Sequence, residues 1–307
     1  MSVPRMERIL AGVDLPPADR EDPVLSAAVR LAQILPAELH LVHAVEAGPM
    51  EPPLLPTVTQ RLEEARTAVS GYLDRVLPDD LPGVVRHVEL GRAHRVLAER
   101  AREVGADLLV LGPHRGFGPS GPLKGLGTTT DRLVRTLDVP VWVVREALEL
   151  PVRRLLVPVD FEPCAEAAVD VAVELAHLLG PGRDEAGAAP AEIELLHVAW
   201  PAELEADPEM AERELLPRLE RQGAGAAERT GVTEGVSFRA HVVGATDIAR
   251  GVLERAAETP TGVVVLGTHG RGALGRALLG SVAAVVAREA PCSVVLVPPG
   301  EEQGLGL

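Results

Sequence analysis

The sequence has little lysine, few aromatic residues and little cysteine. Lys124 is its single lysine, aromatic side chains make up 2% of the 307 residues, and the cysteines are Cys164 and Cys292. So few aromatic rings argue against the base-stacking platforms of single-stranded nucleic-acid binders. Two cysteines exclude a disulfide-stapled scaffold and favour a reducing compartment, which predicts a cytoplasmic protein.

The charge balance and the absence of long apolar runs exclude two further classes of partner. The formal net charge is -15, which argues against nucleic acid or an anionic membrane surface as a partner. No apolar run approaches the 18 uncharged residues that a membrane span requires. The N-terminal stretch also lacks the apolar core of a signal peptide.

One pattern of segments occurs twice along the chain. Each apolar block of the first half returns about 150 residues later in the same order. The clearest pairs are 8–14 with 154–160, and 107–112 with 262–267. We therefore predict two similar domains, residues 1–148 and 149–307, which pack against each other in a pseudo-twofold arrangement. A homodimer of the whole chain is a weaker expectation.

Within each half, short Val- and Leu-rich runs alternate with longer amphipathic stretches. Continuous apolar runs are typical of strands buried on both faces of a parallel sheet. The fold class expected for each half is α/β: an open, doubly wound sheet of five parallel strands in the order 3-2-1-4-5, with helices on both faces. The helices are predicted over 24–34, 58–76, 92–104, 128–137, 164–179, 210–230, 245–258 and 281–289.

The glycine spacing in the second half indicates a phosphate site. Gly267 and Gly270 follow the fourth predicted strand, and Gly280-Ser281 opens the last predicted helix. Glycines permit tight turns and close approach of the backbone to an anion, and the amides at a helix start attract phosphate. Asp160, at the end of the first strand of this half, is expected in the same crevice, where ligands bind in doubly wound sheets.

These residues together resemble the ATP-binding branch of the universal stress protein family, and the likeness covers both halves. The resemblance implies that Pro158, Val159 and Asp160 line adenine and ribose and that Val198 meets adenine through its backbone. It further implies ribose and phosphate contacts from the strand end and the glycine loop, made by Leu266, Gly267, Gly270, Gly280, Ser281 and Val282. The family's members are cytoplasmic, often dimeric, and bind ATP with little or no turnover.

The first half departs from this pattern in its glycine loop. The loop reads Gly-Pro-His-Arg-Gly from residue 112 and is longer than its counterpart before the next helix begins. Arg115 and Lys124 within it are either phosphate ligands or solvated charges. The positions that survive form a second, less secure set of candidate nucleotide contacts: Val13, Asp14, Gly112, Gly127 and Thr128.

Other motifs have weaker interpretations. Both loops contain a G-x-G-x-x-G pattern, but it follows the fourth strand, whereas a dinucleotide-binding fingerprint follows the first. The stretch 275–281 is similar to a phosphate loop without its lysine, which argues against efficient phosphoryl transfer. His43, His197 and His269 are expected to be structural, and no Cys/His spacing indicates a metal centre.

The function expected from the sequence is an ATP-binding stress-response protein that acts as a sensor or regulator and is not a fast enzyme. Adenine nucleotide is the predicted partner, and whether Mg²⁺ accompanies it is left open. Two alternatives remain. One is an interaction module of the same fold without nucleotide, and the other is a slow ATPase or self-phosphorylating protein.

Overall fold

The structure is a computed structural model. It describes residues 6–15, 22–35, 37–46, 56–79, 81, 83–112, 117–118, 121–122, 126–181, 189–269 and 279–299. The chain divides into two compact units with a boundary between Leu148 and Glu149, termed here the first and second domains.

The first domain alternates strands and helices along the chain. Its strands are β1 (Arg8–Gly12), β2 (Glu38–Val45), β3 (Val84–Leu90), β4 (Leu108–Leu111), β5 (Phe117–Gly118), β6 (Gly121–Pro122) and β7 (Val141–Val143). Its helices are α1 (Pro23–Ile34), α2 (Pro56–Val76), α3 (Ala93–Val104) and α4 (Thr128–Thr136).

The second domain repeats this order. Its strands are β8 (Arg154–Pro158), β9 (Ala191–Ala199), β10 (Val236–Gly244), β11 (Val263–Gly267) and β12 (Ser293–Val297). Its helices are α5 (Pro163–Leu179), α6 (Pro201–Ala206), α7 (Leu216–Thr230), α8 (Ile248–Glu258) and α9 (Ser281–Glu289), and a π-helical turn, Ala211–Leu215, precedes α7.

Each domain contains a parallel sheet with the predicted strand order. The first is ordered β3-β2-β1-β4-β7 and the second β10-β9-β8-β11-β12, which is 3-2-1-4-5 in both. In the second sheet Leu155 of β8 pairs with Ile193 on one side and Val263 on the other, and all these pairings are parallel. The predicted α/β class is thus confirmed, and β8 and β11 lie at the switch point where the strand order reverses.

The cores are aliphatic, as the scarcity of aromatic residues requires. All residues of β4 and β12 are buried, and so is β11 up to its final glycine. Trp142, in β7, is the largest of the fully buried side chains. Because the strands are covered on both faces, their continuous apolar runs replace the alternating pattern of a half-exposed sheet.

The structure departs from the predicted elements in three places. Helix α6 and the short antiparallel pair β5–β6 were not predicted. The single helix predicted over 210–230 begins instead with the π turn, in which the amide of Leu216 donates to the carbonyl of Ala211. Pro217 follows and has no amide for an α-helical bond, which accounts for the irregular turn. Among the residues that the structure describes, every helix is too short or too polar to cross a lipid bilayer.

Glu174 is a buried carboxylic acid in the middle of α5. Glu174 is 6% exposed. Burial, reinforced by the nearby charge of Asp170, raises the pKa of its carboxyl group to about 8. The folded protein therefore keeps this proton at pH values where the unfolded chain has released it. Folding takes up a proton between about pH 4.5 and pH 8, so this contribution to stability falls as the pH rises through that window.

Glu174→Gln is expected to remove this pH dependence. At pH 8 the variant should be more stable than the wild type by at least about 1 kcal/mol, and the gain should shrink towards pH 5. Urea denaturation at the two pH values measures the difference. Glu166→Gln, an exposed position on the same helix, is the control and should leave the pH dependence unchanged. Parallel stability curves for wild type and Glu174→Gln would contradict the assignment.

Candidate functional site

A cavity of about 590 Å³ opens at the carboxyl end of the second sheet. This volume lies within the range of small-molecule sites, roughly 300–1,000 Å³. With the exception of Gly270, which lies outside the described residues, every residue predicted for this half lines the cavity: Pro158, Val159, Asp160, Val198, Leu266, Gly267, Gly280, Ser281 and Val282. The duplicated strand ends and the start of α9 therefore come together at one place.

One wall of this cavity is the N-terminus of α9. Gly280 is the N-cap residue and has no side chain to cap the helix, and the first intrahelical bond runs from the amide of Ala284 to the carbonyl of Gly280. The amides of 281–283 therefore have no acceptor within the helix. These donors and the helix dipole, about half a unit charge, suit an anion.

The structure corrects the predicted role of the Gly280 amide. This amide donates to the carbonyl of Thr268 at 2.7 Å, so it is already satisfied inside the protein. It fixes the strand end β11 to the start of α9 and is not available to a phosphate. The anion-binding donors are those of the next three residues.

Gly267 also has a packing role within the domain that the sequence did not predict. A Cβ added there would lie 2.8 Å from the Sγ of Cys164 and 2.9 Å from its carbonyl oxygen. In the first domain, a Cβ on Gly112 would lie 3.0 Å from a methyl group of Val24. Both glycines therefore permit the first turn of α5 or α1 to pack against the fourth strand. Close packing between elements is therefore one reason for a glycine at these positions, most clearly at Gly267, where the added Cβ would also meet backbone.

Asp160 both starts a helix and faces the cavity. Its Oδ1 accepts the amide of Glu162 at 3.1 Å, a turn that leads into Pro163 at the first position of α5. Asp160 also lines the cavity. The turn that Asp160 makes before α5 does not exclude contact with a ligand.

The histidines that end the second strands are structural, as expected. His197 Nδ1 donates to the carbonyl of Val159 at 2.7 Å, and His43 Nδ1 donates to that of Val13 at 2.8 Å. Each bond fixes the end of the second strand to the end of the first. The ring of His197 also packs against Phe161, with 4.8 Å between centroids.

Sequence reasoning missed residues at the far end of the cavity. Trp200, Glu203 and Ile248 line it, and the apolar pair is 52% and 47% exposed. Trp200 follows β9 directly and Ile248 opens α8, so both stand at strand or helix boundaries on the binding edge. In the sequence, the large apolar residue directly after the buried run of β9 could have indicated that Trp200 belongs to the site.

The cavity at the corresponding place in the first domain is much smaller, about 150 Å³. Val13, Asp14, Gly112 and Gly127 line it, and Thr128 does not. This volume is below the range typical of ligand sites.

Two hydrogen bonds join neighbouring elements at the edge of the first cavity. Glu46 Oε1 accepts the amide of Ala93 at 3.2 Å and so links the end of β2 to the start of α3. Thr130 Oγ1 donates to the carbonyl of Gly112 at 3.1 Å and links α4 to the end of β4. In the first domain, hydrogen bonds therefore join the end of β2 to α3 and the end of β4 to α4.

The second domain has different residues at these positions. Trp200 occupies the place of Glu46, and Ala283 the place of Thr130. Helix α8 is capped by its own Asp247, whose Oδ1 accepts the amide of Arg250 at 3.1 Å. These two bonds are therefore absent from the described part of the second domain, where the cavity is larger.

Comparison with known proteins gives the same duplicated organisation. The model of the universal stress protein family matches residues 6–145 and again 151–298. A universal stress protein from Archaeoglobus fulgidus DSM 4304 has a similar fold, with a TM-score of 0.68, 17% identity and coverage of 97% of this chain and 98% of that one. A functionally unknown protein from Pseudomonas aeruginosa PAO1 has a TM-score of 0.62 and 17% identity, with coverage of 96% and 93%. No curated protein matches the sequence significantly. The chain belongs to the universal stress protein family, as a tandem member with two domains of that family.

Proposed function

We propose that the second domain binds an adenine nucleotide, ATP, and that the protein acts as a nucleotide-dependent regulator with little turnover. The observation that carries this proposal is the 590 Å³ cavity bounded on one side by the amides that open α9. The cavity combines apolar strand ends with anion-binding donors, and a nucleotide requires both.

The side chains around the cavity favour binding over catalysis. Among the lining residues that the structure describes, the charged side chains are the carboxylates of Asp160 and Glu203. Enzymes that transfer phosphoryl groups use Lys, Arg or metal charges to stabilise the transition state. No group of three His, Cys, Asp or Glu within the described residues is arranged to hold a metal ion. The proposal includes no hydrolysis step and leaves open whether Mg²⁺ accompanies the nucleotide.

A ligand in this cavity contacts elements from four parts of the second domain. It touches the ends of β8, β9 and β11 and the first turn of α9. Binding that is specific to the folded state stabilises it in proportion to the logarithm of ligand concentration. The nucleotide would regulate the protein by shifting the balance between conformations of this edge.

Isothermal titration calorimetry with ATP tests this proposal. We expect about one ATP per chain, because the first cavity, about 150 Å³, is too small for a nucleotide. ATP should also raise the melting temperature. The absence of heat at millimolar ATP, together with an unchanged melting temperature, would overturn the proposal. That result would favour an interaction module without nucleotide. Binding of two equivalent ATP molecules per chain would contradict the assignment of the site to the second domain.

A further inference from the structure

Trp200 is an unusual side chain in a protein with so few aromatic residues. The chain contains two tryptophans. Trp142 is buried in the first domain at 1% exposure, whereas Trp200 is 52% exposed and lines the second-domain cavity. A half-exposed indole leaves apolar surface in water, and placing it against a ligand recovers that hydrophobic free energy.

The order of the strands places Trp200 away from the anion-binding amides. Across the sheet, Ile248 lies beyond β10, Trp200 beyond β9, Asp160 beyond β8 and Gly267 at the end of β11. Neighbouring strands are about 4.8 Å apart, so these four ends span roughly 14 Å. The cavity therefore has an apolar end at Trp200 and Ile248 and a polar end at the start of α9.

The first domain lacks this apolar end. Glu46 stands where the second domain has Trp200, and Ala93 stands where it has Ile248. The amide of Ala93 donates to the Glu46 carboxylate, so a polar contact stands where the second domain has the apolar pair. The exposed apolar pair is thus confined to the domain with the larger cavity, which links it to a ligand rather than to the shared fold.

We propose that Trp200 stacks on the base of the bound nucleotide, with Ile248 in the same apolar subsite, and so selects ligands that carry a planar aromatic ring. This inference rests on the proposed nucleotide binding. Offset stacking between an indole and a nucleobase is favourable and tolerates different bases. The amides of α9 then bind the phosphates, whereas Trp200 discriminates a nucleotide from inorganic polyphosphate.

Tryptophan emission gives a direct test in the full-length protein. ATP should change the emission of the wild type, with a midpoint equal to the calorimetric Kd. The variant Trp200→Phe keeps only the buried Trp142, so its emission should not respond to ATP. Inorganic tripolyphosphate, which has no ring to stack, should leave the wild-type emission unchanged. An equal emission response to tripolyphosphate would overturn the stacking assignment.

Affinity measurements separate stacking from other contacts. Trp200→Ala should weaken ATP binding about tenfold, whereas Trp200→Phe, which keeps an aromatic ring, should weaken it about threefold or less. Leu178→Ala, at another exposed apolar side chain of the same domain (39% exposed), is the control and should change nothing. If ATP binds the wild type but Trp200→Ala keeps full affinity, the stacking proposal is wrong and the nucleotide site stands. If the wild type binds no ATP, both fail.

Discussion

Replacing Ser281 by proline is expected to weaken ATP binding about 50-fold. Ser281 is the first residue of α9, a position that proline favours, and the preceding Gly280 has φ -57° and ψ 146°, which proline requires of its neighbour. The helix should therefore form normally. The substitution removes an amide and a hydroxyl donor at the start of α9, and hydrogen bonds to charged groups contribute about 1.5–3 kcal/mol.

Two variants make this result interpretable. Ser281→Ala removes the hydroxyl and keeps the amide, so it should weaken binding by clearly less than Ser281→Pro does. Thr128→Pro replaces the first residue of α4 in the first domain, where the preceding Gly127 has φ 77°, and it should leave ATP affinity within about twofold. Calorimetry measures all three. If Ser281→Pro bound ATP as tightly as the wild type, the amides of α9 would not be the phosphate site.

Glu194→Ala is expected to destabilise the second domain by about 3 kcal/mol. Glu194 lies in β9 with a fully buried side chain, and its Oε1 accepts from Arg255 Nε at 2.5 Å. The other oxygen is 3.9 Å from a guanidinium nitrogen of Arg154. Removing the carboxylate leaves the Arg255 guanidinium, 16% exposed, without this buried partner, and breaking one side of a buried ion pair costs about 3–5 kcal/mol.

An exposed pair in the same domain serves as the control. Arg250 and Glu254 interact at 2.8 Å one helical turn apart, with side chains 66% and 56% exposed. Glu254→Ala should cost well under 1 kcal/mol, because water screens exposed pairs. Chemical denaturation compares the two variants. If both variants lost a similar, small amount of unfolding free energy, the burial of Glu194 would not strengthen its ion pair.

The fold could be predicted because its signals are local and repeated. The predicted helix over 281–289 is α9 as observed, and those over 24–34 and 164–179 differ from α1 and α5 by one residue at their starts. Prolines at the first positions account for those differences. The π turn was missed because it depends on Pro217 within a pattern that otherwise reads as one helix. Helix α6 was missed because a short helix has too few turns to show a period.

The residues predicted for the site line one cavity, and two of them also make contacts within the protein that were not predicted. Asp160, Val198 and Ser281 line one cavity, as the order of parallel strands requires. However, the glycine at 267 accommodates Cys164, and the amide of Gly280 is satisfied by Thr268. The contact between Gly267 and Cys164 joins segments about 100 residues apart, and the bond between Gly280 and Thr268 closes the loop between β11 and α9. The spacing of residues along the sequence does not reveal either contact.

The sequence by itself determined that the chain is two copies of one α/β domain, because duplication and apolar runs are properties of residue order. Tertiary structure decided that the copies differ at their binding edges. In the first domain Glu46 reaches the amide of Ala93 across the gap between two elements, and in the second Trp200 leaves that gap open. A strand end and a helix start far apart in sequence meet there. Whether the space between them is filled by a hydrogen bond or kept as a cavity is set by side chains that face each other only in the folded protein.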